Sequence, residues 1–143
     1  MNNTCGKSIL LRPILARLVA LTLAMAALPA SAQGMEPAEA MLRLECGGIG
    51  LEESARMRAE RAMHALTLLF STTAGDFITD VVVRVDDPLN DRRVEASCGP
   101  IGQLDVPEAA RYRITATYAG TIQEHWMELS PGGGAQLVLQ WQE

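Results

Sequence analysis

From position 64 onward, apolar residues recur at every second position in short runs, and each run ends at Gly, Pro, Asn or Asp. A period of two belongs to strands with one face against a core. Leu66, Leu68 and Phe70 share one side of the first run, and Thr72–Asp76 turns the chain. Phe77–Val85 alternates next, with Phe77, Thr79, Val81, Val83 and Val85 on one side and Ile78, Asp80, Val82 and Arg84 on the other. Asp86–Asp91 ends that run, and Arg93–Cys98 places Val94, Ala96 and Cys98 on an apolar face. Gln103–Val106 is a short strand stopped by Pro107. Arg111–Tyr118 is the clearest strand: Tyr112, Ile114, Ala116 and Tyr118 point one way, Arg111, Arg113, Thr115 and Thr117 the other. Ala119-Gly120 turns tightly into Thr121–Leu129, where adjacent Trp126 and Met127 cannot share a face without a bulge. After Pro131–Gly134, Leu137, Leu139 and Trp141 align in a last run.

Ahead of the strands the period differs. Glu52–Met63 is rich in helix formers, with Ala55, Ala59, Ala62 and Met63 as its apolar stripe. Glu52–Arg56 and Arg56–Glu60 are spaced to pair on the surface. This helix either covers one end of the domain or meets a partner. Leu42–Cys46 is a short strand or an extended lead-in, closed by the turn residues Gly47-Gly48-Ile49-Gly50. The expected fold is mainly β: a seven-stranded antiparallel Ig-like or prealbumin-like sandwich preceded by one short helix.

The N-terminus has the anatomy of an export signal. Lys7, Arg12 and Arg17 precede the apolar run Leu18–Leu28; Pro29 breaks it, and Ala30-Ser31-Ala32 offers a cleavage site. The run is too short to span a bilayer, and no later stretch is long and apolar enough to do so. The expected organisation is a cleaved signal at 1–32, a lead-in at 33–50 and the helix plus sandwich at 51–143. The mature chain is roughly 110 residues, one domain with one core. It is periplasmic or secreted.

Export changes the charge and frames the cysteines. Lys7, Arg12 and Arg17 leave with the signal, so the net charge falls below the −5 of the whole chain. An acidic domain without a basic run is a poor match for nucleic acid or anionic lipid. Cys46 and Cys98 are left in an oxidising compartment. A bond between them would close a loop of roughly 50 residues and contribute about 4 kcal/mol. Two buried thiols or an intermolecular bridge are the alternatives.

The run Leu104–Gly120, LDVPEAARYRITATYAG, resembles the L-P-x-G-x-Y-x-V-x-A-x-x-x-G pattern of carboxypeptidase regulatory-like, transthyretin-type β-sandwich domains. From Cys46 onward the chain also resembles small exported proteins of Gram-negative bacteria. Ala109-Ala110 stands where the pattern has Gly. The resemblance implies a fold and an accessory or binding role. Related transthyretin-like hydrolases end in Tyr-Arg-Gly-Ser, whereas this chain ends Leu139-Gln140-Trp141-Gln142-Glu143, so that activity is not implied.

No residue set forms a catalytic motif. His64, His125, Ser71, Ser97 and Asp76 are the candidates for a nucleophile and base, and no spacing connects them. Asp86–Asp91 lacks the order of a calcium loop, and two cysteines with two distant histidines lack zinc spacing. Nothing here calls for a cofactor or metal. Trp126 beside His125 is either an exposed contact or, with Trp141, part of the core. Arg111, Arg113 and Arg84 either form a basic patch or pair with Glu95 and Asp80. The expected function is a non-enzymatic envelope module that binds a protein partner, with Trp126, His125, Arg111 and Arg113 as contacts. A carbohydrate-binding module is the alternative and a small hydrolase a distant third.

Overall fold

The computed structural model describes residues 41–142. The expected signal and the first residues of the lead-in lie outside that range. Among the described residues eight strands form two open four-stranded sheets, and one short helix precedes all but the first strand. The strands are β1 Arg43–Gly47, β2 Leu66–Thr72, β3 Val81–Asp87, β4 Arg92–Cys98, β5 Ile101–Asp105, β6 Ala110–Tyr118, β7 Thr121–Leu129 and β8 Ala135–Trp141. One sheet runs β1-β5-β2-β8 and the other β4-β3-β6-β7.

The inward faces of the two sheets share one core. Leu66, Leu68, Phe70, Leu104, Leu139 and Trp141 come from the first sheet; Val81, Val83, Val85, Tyr112, Ile114, Ala116 and Leu129 come from the second. The alternation of the sequence is therefore the alternation of burial, most plainly in β6, where Tyr112, Ile114 and Ala116 are fully buried. The Tyr112 hydroxyl donates to the carbonyl of Glu108 at 2.9 Å. That bond fastens β6 to the segment that crosses from one sheet to the other.

The Cys46–Cys98 disulfide is formed. It joins β1 at the edge of one sheet to β4 at the edge of the other, so it ties the two layers along one side.

Four expectations are corrected. The strand count is eight rather than seven, because the lead-in Arg43–Gly47 pairs along β5. The pairing is not antiparallel throughout: β8 lies parallel to β2 from Leu66↔Ala135 to Thr72↔Trp141. The reason is local, since Gly134 and Ala135 donate their amides to the carbonyls of His64 and Ala65 and start β8 beside the start of β2.

The third correction concerns Phe77–Val85, of which only Val81 onward is strand. Asp80 has φ 61°, a left-handed conformation that resets the parity. Ile78 and Val81 can then both face the core although they are three apart, and Phe77 is left exposed.

The fourth concerns the helix. α1 is Leu51–Ala59, followed by a single 3-10 stretch at Glu60–Met63. Ala55, Ala59, Ala62 and Met63 face solvent; the buried residue is Met57. Met57 covers the outer face of the first sheet beside Gly47 and Gln103, whose amide nitrogen donates to the Met57 carbonyl. Arg56 pairs with Glu60 at 2.9 Å as expected and with Glu45 rather than Glu52.

Of the turns with left-handed backbone, two bear on stability most directly. Gly48 has φ 91°, and a Cβ there would meet Ile101 at 2.8 Å, so no side chain fits. In the β6–β7 turn Ala119 has φ 46° and Gly120 φ 79°. Asn-Gly is the favoured pair for such a turn. Ala119→Asn is expected to raise stability by about 0.5–1 kcal/mol by relieving the left-handed alanine, read as a higher midpoint in urea unfolding.

Candidate functional site

The outer face of the β4-β3-β6-β7 sheet carries a continuous row of side chains. Register places Arg93 opposite Asp86, Asp86 opposite Arg113, and Arg113 opposite Trp126. All four point away from the core, because Val85, Ile114 and their neighbours on the alternate positions point into it.

Asp86 organises the row. Its carboxylate accepts from Arg93 Nε at 2.6 Å, Arg84 Nε at 3.0 Å, and Arg113 Nη2 at 3.2 Å. Three guanidinium groups on one buried carboxylate leave the cluster cationic. Burial alone would push the Asp86 carboxyl up; hydrogen bonds from Arg93, Arg84 and Arg113 outweigh it and hold the pKa down to about 2. A carboxyl lowered on folding adds stability above its unfolded pKa, and that stability is lost as pH falls from about 4 towards 2. The shift corresponds to about 2 kcal/mol. Asp86→Asn is expected to lose about that much at pH 7 and to narrow its gap to the native chain at pH 2, measured by urea unfolding at both pH values.

Trp126 occupies the other end of the row, on edge strand β7. It is 44% exposed, and the guanidinium carbons of Arg111 and Arg113 lie 5.3 and 5.6 Å from its ring centroid. Its indole nitrogen donates to Glu124 at 3.2 Å. Arg113 is thus held by a carboxylate on one side and by an aromatic ring on the other. A side chain ordered in this way loses little further freedom when something docks on it. A groove of about 410 Å³ continues the face past Arg113 and Arg93 to Asp91.

The expected contact residues are only partly brought together. Trp126, Arg111 and Arg113 share the face. Trp126 is not core, whereas Trp141, 4% exposed, is. β7 runs without a bulge, so Trp126 faces out while Met127 packs against the core. His125, next in sequence, therefore points to the opposite side from Trp126, with Gln123, which bonds the Gln140 carbonyl of the other sheet. Arg84 and Arg113 pair with Asp86 rather than with Glu95 or Asp80. The sequence alone does not single out Asp86 and Arg93, because Asp86 reads as the first residue of a turn. Continuing the Val82, Arg84 steps of two would have carried it onto the strand face.

The remaining candidates are dispersed. His64 Nδ1 lies 2.8 Å from an Asp105 oxygen, and no Ser or Cys bonds that pair among the described residues. Ser71 is buried on β2, Ser97 faces out from β4, and Asp76 sits in the β2–β3 turn. The Asp87 carboxylate caps its own turn through Leu89 N and Asn90 Nδ2. No helix among the described residues is long and apolar enough to cross a membrane. Comparison of the chain with protein-family models, with curated proteins and with solved structures finds no match.

Proposed function

We propose that this is a non-enzymatic, exported β-sandwich module of the Ig-like or prealbumin-like type, which recognises a protein partner in the periplasm or outside the cell. The observation that carries the reading is Trp126, half exposed on an edge strand and flanked by two arginines, of which Arg113 is also held by Asp86. Tryptophan and arginine are the side chains that most often dominate protein interfaces. Edge strand β7 adds a second means of attachment, since an incoming strand can pair along its free side. A disulfide between β1 and β4 supports an oxidising compartment.

Carbohydrate recognition is the second reading, because an exposed tryptophan can stack on a sugar. Both guanidinium groups already lie over the ring, so a sugar would have to displace them. That favours protein over glycan.

The test is affinity capture from envelope extract with the native chain and with Trp126→Ala. The variant is expected to stay within about 1 kcal/mol of native stability, since its ring is already partly in water. The native chain is expected to enrich a defined partner at least tenfold over the variant. Equal recovery by both, or a tryptophan fluorescence change with a glycan and no partner, would count against the protein-binding reading.

A further inference from the structure

On the far side of the molecule, a cleft of about 170 Å³ lies between the helical segment and the outer face of the β1-β5-β2-β8 sheet. Arg58, Arg61, Thr67, Leu69 and Gln136 line it. Three observations set it apart. The Thr67 hydroxyl is buried and has no hydrogen-bond partner among the described residues, although an orphaned buried hydroxyl is costly. Six of the nine described arginines have a carboxylate within 4.0 Å; Arg58 and Arg61 belong to the three that do not. No Asp or Glu among the described residues lines the cleft.

The groups facing it are matched to an acceptor. Arg61 Nη1 donates to Gln136 Oε1 at 2.8 Å, which occupies the amide oxygen and leaves the amide nitrogen to donate. The Arg58 guanidinium carbon lies 5.5 Å from the ring centroid of Phe77, which steadies it at the rim. Leu69 supplies an apolar wall. Planar guanidinium groups suit a planar carboxylate, and the wall suits a short aliphatic body. The volume exceeds the roughly 30 Å³ of one water several times over.

We infer that this cleft binds the carboxylate of a small aliphatic acid or of a peptide C-terminus, held by Arg58, Arg61 and the Thr67 hydroxyl. The site is separate from the Trp126 face and does not depend on it.

The experiment is a ¹⁵N–¹H titration of the full exported chain with sodium butyrate, against sodium chloride and sodium sulfate at equal ionic strength. Two dipeptide arms, Ala-Leu and its C-terminal amide, distinguish the two sources of the carboxylate. Saturable shifts at the amides of Thr67, Leu69 and Gln136 in the millimolar range are expected with butyrate or with Ala-Leu, and not with the amide. Thr67→Val and Arg61→Ala are each expected to weaken binding about tenfold. Thr67→Val removes an unpartnered hydroxyl, so it is expected to fold at least as well as the native chain. Sulfate binding as tightly as butyrate, shifts that follow ionic strength alone, or shifts unchanged in both variants would overturn the inference and leave the cleft as a pocket for water.

Discussion

Reduction of Cys46–Cys98, or its replacement by Cys46→Ala with Cys98→Ala, is expected to lower stability by about 4 kcal/mol. The bridge spans 52 positions, so the unfolded chain loses a large amount of freedom when it is closed. The position in the fold adds to this. Among the described residues β1 hydrogen-bonds only to β5, and β4 only to β3, so each is an edge strand with one neighbour there. The bridge is the covalent tie that keeps both edges over the same core. For a domain of this size a loss of about 4 kcal/mol lowers the melting temperature by on the order of 20 °C. Calorimetry with and without reductant measures it. A shift of only a few degrees would show that β1 and β4 are held by packing alone.

Tyr112→Ala is the second large effect, expected at about 3–5 kcal/mol. Tyr112 has no exposed surface and is the largest of the fully buried side chains. Removing the ring opens a cavity between the two sheets, whose strands cannot collapse without breaking register. Tyr112→Phe separates the two contributions. It keeps the ring and leaves the Glu108 carbonyl without its donor, at about 1 kcal/mol. Burial, with the Asp87 carboxylate next, raises the Tyr112 pKa. A phenol raised on folding supports the fold below its unfolded pKa of about 10 and stops doing so as pH climbs further. Urea unfolding of native, Tyr112→Phe and Tyr112→Ala chains at pH 7 should rank them in that order. Near-equal losses for Phe and Ala would place the stabilisation in the hydrogen bond and not in packing.

The core was legible because a strand with one buried face writes its burial into every second residue. Tyr112, Ile114, Ala116, Leu66, Leu68 and Phe70 all lie where that rule puts them. The rule fails where backbone geometry resets the count. Asp80 at φ 61° does so ahead of β3, and nothing in the composition of Phe77–Val85 announces it. The helix face departs from the expected stripe for a related reason: three alanines make a plausible stripe, yet one methionine is the larger apolar surface, and Met57 is buried instead. The parallel partner of β2 could not be read from alternation, since alternation is the same for either direction.

The candidate site was half legible. Arg111 and Arg113 are visible as the wet side of β6, whereas Trp126, which cannot share a face with Met127, is left open by the sequence between surface and core. What anchors Arg113 in the row is Asp86, a carboxylate two strands away from Trp126 in the sheet, and only register brings it opposite Arg93 and Arg113. Long-range pairing of that kind leaves no local trace. His125 shows the converse: proximity in sequence put it beside Trp126, and strand geometry put it on the other side.

The most direct measurement places a photo-crosslinking residue at Ile122, exposed on the Trp126 face, and separately at Val138, exposed on the opposite sheet. Irradiation is done in the producing cells, in the native and Trp126→Ala backgrounds. A discrete protein adduct from position 122 that disappears with Trp126→Ala, and none from position 138, is the predicted outcome. Adducts from position 138 alone, or adducts from 122 that persist without the indole, would contradict recognition through the Trp126 face.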